Sequence, residues 1–86
     1  MEHWQGIIRR LIYIIQFEDD PLNGIDRVVN HIMKIRESQP NKDEYIQAIE
    51  VALESNTLLS DLIPQSHSES SIRNYLKEIL KRISFL

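Results

Sequence analysis

The length, composition and charge of this chain limit the classes of protein it can belong to. Its 86 residues, 42% hydrophobic and 27% charged, are typical of one globular domain and exclude the disordered class. The absence of cysteine excludes a disulfide framework and a thiolate metal site, and it fits a reducing compartment. A formal net charge of -3 argues against a protein that neutralises phosphates over its whole surface.

The first predicted element is a strongly apolar helix near the N-terminus. Its stripe, at the i, i+3, i+4, i+7 spacing, contains Trp4, Ile7, Ile8, Leu11, Ile14 and Ile15. Arg9 and Arg10 interrupt the one apolar run that could mimic a targeting signal, Ile7 to Phe17, and this run is too short to span a bilayer. We therefore expect residues 1–86 to form one complete cytoplasmic domain, neither secreted nor membrane-spanning.

A second helix is expected after the acidic corner at residues 18–21. Asp20 can cap this helix, and Pro21 suits its first position because that position needs no N–H donor. The apolar side is predicted to contain Leu22, Ile25, Val28, Val29, Ile32 and Ile35. Alternatively, the Asn23-Gly24 pair forms a turn that delays the start of the helix by three residues.

The third helix is expected after a break at Gln39-Pro40-Asn41. Asn41 and Glu44 have the spacing of a capping box with asparagine as the cap. The helix then runs to about residue 55, with an apolar side formed by Tyr45, Ile49, Ala52 and Leu53. The apolar segment 57–63 fits a short helix or turn better than a strand.

The fourth helix has the most regular apolar stripe of the chain. This stripe contains Ile72, Tyr75, Leu76, Ile79, Leu80 and Ile83. Ser66 and Glu69 have capping-box spacing before it. The pairs Glu69 with Arg73 and Glu78 with Arg82 have the i, i+4 spacing at which opposite charges attract on a helix.

Together these segments predict an all-α fold. Short connections favour an antiparallel four-helix bundle with a short extra helix or turn between helices 3 and 4. Helices 1 and 4 are expected at its centre. No segment shows the sustained two-residue alternation of a strand, so no sheet is expected.

The sequence contains no arrangement of residues that indicates catalysis or a bound cofactor. His3, His31 and His67 lie in different segments and lack the spacing of a metal-binding helix. The run 66–69 contains serine, histidine and glutamate, but a catalytic triad is assembled in space, so helix capping explains this run better. We expect a protein that is not an enzyme and that holds no metal or cofactor.

The most informative feature is the stretch 43–72, which has six acidic residues and no lysine or arginine. On a helix Asp43, Glu50 and Glu54 fall within about 40° of one another, opposite the apolar side. Such a face is either the solvated side of a bundle or an anionic docking surface for a basic partner. The residues predicted to bind that partner are Glu18, Asp19, Asp20, Asp43, Glu50, Glu54 and Asp61.

One stretch carries a family resemblance that extends to the size and architecture of the whole chain. It is Phe17-Glu18-Asp19-Asp20-Pro21, followed by Gly24-Ile25-Asp26-Arg27-Val28-Val29. In this acidic, cysteine-free helical chain it resembles the immunity proteins of contact-dependent growth inhibition systems and nuclease bacteriocins. The resemblance implies a protein that occludes the basic cleft of a toxin nuclease domain with carboxylates. The chain departs from the helical nuclease-colicin immunity proteins because it lacks their aspartate-tyrosine-tyrosine hot spot.

Two alternatives remain open. A nucleic-acid-binding regulator or antitoxin could use the basic ridge Arg73, Lys77 and Lys81, although the net charge argues against direct nucleic-acid binding. An oligomerising module could pack a second copy on the cluster Leu58, Leu59, Leu62 and Ile63. The sequence leaves the oligomeric state open.

Overall fold

The computed structural model describes residues 3–34 and 42–84. Its α-helices are α1 (His3–Ile15), α2 (Ile25–Lys34), α3 (Lys42–Glu54) and α4 (Glu69–Ser84). Short 3₁₀ helices occupy Pro21–Gly24 and Leu59–Asp61. No strand is present in the described ranges, so the predicted all-α class is confirmed, as is the short extra helix before α4.

The start of α2 follows from the chemistry of the acidic corner. The Asp20 carboxylate accepts the Leu22 N–H at 3.0 Å, and Pro21 opens the first 3₁₀ helix. Regular α-helix begins only at Ile25. The delayed start of the α-helix is therefore confirmed, but residues 21–24 form a 3₁₀ helix and not the turn expected at Asn23-Gly24.

One prediction about this region is wrong, and three others fall outside the described residues. Leu22, expected on the apolar side of the helix, lies before α2 and is exposed, so that assignment is wrong. Ile35 and the break at residues 39–41 lie outside the described residues. The predicted Asn41 cap lies there too.

One hydrophobic core joins the four helices. Its buried side chains are Ile7, Ile8, Leu11, Ile12, Ile15, Ile25, Val28, Val29, Ile32, Tyr45, Ala48, Ile49, Ala52, Leu59, Ile72, Tyr75, Leu76, Ile79 and Ile83. Most members of the predicted stripes are in this core, and no charged side chain of the described part of the chain is buried with them. Removal of this aliphatic surface from water is the main force that holds the helices together.

The apolar side of α1 differs from the prediction at one flank. Ile12 is fully buried, whereas Ile14, which was assigned to the stripe, is 38% exposed. Both residues border the same stripe, and its periodicity does not indicate which border a neighbouring helix will cover. The prediction that Ile14 belongs to the core is therefore wrong.

The start of α4 also corrects the sequence analysis. The helix begins at Glu69, and the Ser68 hydroxyl accepts the Ser71 N–H at 3.1 Å. Ser68 is thus the N-cap, and the predicted capping box that starts at Ser66 is wrong. This frees the Glu69 carboxylate for the contacts described below.

The packing of the helices places α3 and α4 at the centre. α3 packs against both α1 and α4, and α4 packs against α2 as well. The prediction that helix 1 is a central element is wrong, because α1 packs mainly on α3 and leaves one side open.

Candidate protein-binding surface

The outward face of α3 carries the carboxylates that the sequence analysis selected. Asp43, Glu50 and Glu54 are exposed, while Tyr45 and Ala52 on the opposite side are buried. At 1.5 Å of rise per residue, Glu54 lies about 6 Å from Glu50 along the helix axis. The structure therefore brings three of the seven predicted residues onto one face.

This face is not neutralised from within the described part of the molecule. Among residues 3–34 and 42–84, no lysine or arginine forms an ion pair with the three α3 carboxylates or with Asp61. Neighbouring carboxylates at i, i+4 spacing repel each other by a few tenths of a kcal/mol. A cation from a partner would relieve that repulsion.

An open groove of about 190 Å³ lies beside the carboxylates, between α1 and α3. It is lined by Trp4, Ile7, Glu44, Gln47, Ala48 and Val51. Val51 is 45% exposed on the same helix as the acidic residues, and Trp4 is half-buried. An apolar recess next to charged side chains matches the usual composition of protein interfaces, in which an apolar centre has a polar rim.

A network of hydrogen bonds fixes the connection that leads from α3 to Asp61. The Glu69 carboxylate accepts the N–H groups of Leu59 and Ser60 at 3.0 and 2.8 Å, and so caps the second 3₁₀ helix. Glu69 also pairs with Arg73 at 2.8 Å. The second predicted pair, Glu78 with Arg82, is formed too, at 3.2 Å.

Arg73 completes this network from α4. Its guanidinium donates to the carbonyl oxygens of Leu53, Ser55 and Thr57 at 3.1, 3.2 and 3.1 Å. These are carbonyls at and just after the C-terminal end of α3, where helix geometry leaves acceptors without partners. Arg73 therefore serves the fold, and the basic ridge considered for nucleic acid loses its first member.

The environment of Glu69 changes its acidity. Partial burial by itself would raise the pKa, but the N–H groups of Ser60 and Leu59, together with Arg73, outweigh burial and hold the pKa of Glu69 below its usual value. The carboxylate is therefore ionised at neutral pH, as its role as a cap requires.

The acidic corner contributes less to a docking surface than the sequence suggested. Glu18 pairs with Arg27 at 3.3 Å, and Asp20 is occupied as the cap of the first 3₁₀ helix. Asp19 is exposed. The corner lies at the junction of α1 and α2, away from the outward face of α3, so the structure does not merge it with that face.

Two of the three tyrosines are structural. The Tyr75 hydroxyl donates to the Leu11 carbonyl at 2.9 Å inside the core, and burial, with a smaller effect of Tyr45, raises the pKa of Tyr75. Burial also raises the pKa of Tyr45, although the charge and hydrogen bond of Arg10 oppose this effect. Neither hydroxyl can serve as an exposed anchor for a partner.

The run 66–69, which superficially resembles catalytic residues, is divided among separate structural contacts. The His67 Nε2 atom lies 2.7 Å from the Ile15 carbonyl oxygen, and the His67 N–H donates to the side chain of Gln65. Ser68 caps α4, and Glu69 caps the second 3₁₀ helix. The members of this run thus point to different partners.

The cluster considered for self-association mostly faces inward. Leu59 is fully buried, and Leu62 and Ile63 pack against the core. Only Leu58 of this cluster is exposed, at 56%. One exposed leucine is a small area for an oligomeric contact.

Sequence reasoning missed an exposed apolar surface at the end of α1. Tyr13 is 65% exposed and Phe17 is 91% exposed, and both lie near the exposed Ile14. The sequence does indicate this surface. Arg9, Tyr13 and Phe17 are spaced four residues apart, and residues four apart on a helix lie about 40° from each other on one side. The apolar character of the whole helix concealed it.

Comparisons with known proteins found no match. No family model, curated protein sequence or solved structure matches this chain.

Within the described ranges, no group of three or more His, Cys, Asp or Glu side chains could hold a metal ion. None of the described helices has the length and apolar character needed to cross a membrane.

Proposed function

We propose that α1 to α4 form an antiparallel four-helix bundle whose function is to bind another protein. The arrangement is supported by the packing of α3 on α1 and α4, and of α4 on α2. Single-domain bundles of this size have little interior space for a substrate, so the surface carries the function. The protein is a binding protein and not an enzyme.

The outward face of α3 is the docking surface in this proposal, and its partner is basic. The observation that carries it is the group of exposed carboxylates at Asp43, Glu50 and Glu54, none of which has an ion pair within the described residues. Asp61, in the connection that follows α3, is exposed and without an ion pair there as well. A long-range field of one sign raises the rate of encounter with an oppositely charged surface and selects against acidic partners. The groove beside Val51 provides an apolar anchor point.

The partner that best fits this chemistry is a nuclease domain of a bacterial toxin, and the protein acts as its immunity protein in the cytoplasm. A cleft that binds the phosphates of RNA or DNA is lined with lysine and arginine. Carboxylates on a rigid helix can occupy the positions of those phosphates and exclude the substrate. Inhibition by occlusion requires no chemistry from the inhibitor, which agrees with the structural roles of the run 66–69.

Affinity capture with matched variants tests the proposal. Glu50→Gln with Glu54→Gln raises the formal net charge of -3 by two units on the docking face. Ser70→Lys with Asn74→Lys raises it equally at two exposed positions of α4. The wild type and the α4 variant should capture from the native host one protein with a pI above about 9, and the α3 variant should lose it.

Capture must be accompanied by inhibition to support the function. The purified partner should cleave RNA or DNA, and one equivalent of the wild-type protein should abolish this cleavage. Equal capture by the α3 variant would contradict the docking face. A captured partner without nuclease activity would contradict the assignment as an immunity protein.

A further inference from the structure

A second surface, basic and apolar where the α3 face is acidic, lies on the exposed side of α1. The outward face of this helix carries Arg9, Arg10, Tyr13 and Ile14, and the exposed Phe17 follows one turn later. Exposed aromatic and aliphatic side chains that lie together indicate an interaction site more often than isolated ones do. The described residues of this face are three large apolar side chains and two arginines.

The face continues into a groove between α1 and α2. Two adjoining recesses of about 390 and 380 Å³ share Ile14 and His31 as common walls. The first extends to Leu11 and Ile63, and the second to Val28. Together they form one open groove with an apolar floor.

The rim of this groove is basic. Arg9, Arg10, Arg27 and His31 all line it, and none of the described lining residues is acidic. The Arg9 Nε atom donates to the Leu62 carbonyl at 3.3 Å, and this bond holds the side chain in place. The two terminal nitrogens of the guanidinium can then donate to another acceptor. Glu18 pairs with Arg27 at the end of the groove at 3.3 Å.

We propose that this groove binds an acidic amphipathic helix of a partner protein, with an apolar side chain inserted between Ile14 and His31 and carboxylates on the arginines of the rim. An apolar floor with cations along its edges is complementary to a helix that has apolar residues at i, i+3 or i+4, and i+7 and acidic residues beside them. Arg can hold such carboxylates through paired N–H donors.

A nucleic-acid occupant fits these observations less well. Single strands require cations that track the backbone along the binding groove, and they stack their bases on exposed aromatic faces. Each of the three arginines has one partner, the Leu62 carbonyl for Arg9, Tyr45 for Arg10 and Glu18 for Arg27, so charge alone does not separate the two occupants. The floor at Leu11, Val28 and Ile63 is aliphatic and suits an apolar side chain better than a base. The helix-binding groove is also independent of the proposed function, since its charge is opposite to that of α3.

A peptide selection tests this inference with the intact protein. A random library of 16-residue peptides on phage is selected on the immobilised wild type, and the enriched peptides are then measured by fluorescence anisotropy. We expect enrichment of peptides with several Asp or Glu and apolar residues at helical spacing. Their affinity should fall by at least about tenfold with Ile14→Asp, as for a central anchor position, and should weaken with added salt.

Val51→Asp is the matched control. It places the same carboxylate at a comparably exposed apolar position of another helix, on the α3 side of the molecule. The selected peptides should bind this variant within about twofold of the wild type, because hot-spot effects are local. Circular dichroism of both variants verifies that each is folded.

Several outcomes would overturn the inference. They are the failure to enrich any acidic peptide, enrichment of neutral or basic peptides whose binding requires Ile14, and equal loss of acidic-peptide binding in the Ile14 and Val51 variants. Tighter binding of a 12-nucleotide oligo(dT) that also depends on Ile14 would assign the groove to single-stranded nucleic acid instead. Failure of acidic peptides to bind the groove leaves the proposed immunity function standing, because that function rests on the α3 carboxylates and a basic partner.

Discussion

At the scale of single residues, Glu69 shows how one carboxylate can serve three parts of the fold. It caps the second 3₁₀ helix, pairs with Arg73 and begins α4. Arg73 in turn binds carbonyl oxygens at the end of α3. Together the two side chains stabilise the connection that contains Asp61. A substitution of either one is therefore expected to destabilise a segment that lies 10 to 20 residues earlier in the chain.

The lowered pKa of Glu69 predicts a specific pH dependence of stability. A carboxyl whose pKa is lowered by folding stabilises the native state above its unfolded pKa, near 4.5, and this contribution is lost as the pH falls through the lower folded value. Glu69→Gln should therefore cost about 2 kcal/mol at pH 7 and less at pH 3. Urea denaturation at both pH values measures this difference.

Glu54→Gln is the control for this prediction. Its carboxylate is exposed, so the free energy of unfolding should change by less than about 0.5 kcal/mol at either pH. A Glu69 variant as stable as the wild type at pH 7 would show that the cap contributes nothing.

A second prediction at this scale concerns the buried hydroxyl of Tyr75. Tyr75→Phe removes the hydrogen bond to the Leu11 carbonyl and should lower the free energy of unfolding by about 1 kcal/mol. Tyr13→Phe removes an exposed hydroxyl and should have no measurable effect. Equal stability of the two variants in urea titrations would be inconsistent with the observed contact.

At the scale of the elements, the start of α4 offers a direct comparison of sequence and structure. The Ser68 hydroxyl accepts the Ser71 N–H, whereas Ser66 lies outside the helix. We expect Ser68→Ala to cost about 1 kcal/mol, the usual loss for an N-cap, and Ser66→Ala to cost little. Thermal unfolding followed by circular dichroism would rank the two variants, and the reverse order would restore the original capping box.

Much of the helical architecture could be predicted from the sequence because it depends on local chemistry. The stripe of α4 and the cap at Asp20 both follow from spacing and residue type, and both are observed. The exposure of Ile14 could not be predicted from the sequence. A periodic pattern shows which residues form an apolar stripe, but it does not show which border of the stripe a neighbouring helix will cover. Two serines two residues apart likewise offer alternative caps, and only tertiary packing selects one.

The candidate site could be predicted in part for the same reason. Exposure of Glu50 and Glu54 follows from helical periodicity, and the structure agrees. The recess beside Val51 and the role of Arg73 depend on residues far apart in the chain. Arg73 reaches carbonyl groups 16 to 20 residues away, and no rule of sequence spacing anticipates such contacts.

At the scale of the whole molecule, charge is separated into two surfaces on a small body of 32 × 30 × 20 Å. The carboxylates lie on the side of α3 opposite Tyr45, which lines the basic groove, so about 10 Å of helix separates them. The acidic face and the basic groove therefore face in different directions and offer separate surfaces to partners.

The central claim is that the outward face of α3 attracts a basic partner through its field. If so, the association rate constant with the purified partner should be high at low salt and fall steeply as salt is added. Glu50→Lys with Glu54→Lys should lower it by at least about tenfold at low salt and flatten its salt dependence. Ser70→Lys with Asn74→Lys should leave both close to the wild-type values.

Stopped-flow association across a series of salt concentrations is the most direct measurement of this claim. The account predicts a steep decline of the rate constant with ionic strength for the wild type and the α4 variant, and a slow, nearly salt-independent rate for the α3 variant. Identical rates and identical salt dependence for all three proteins would contradict it.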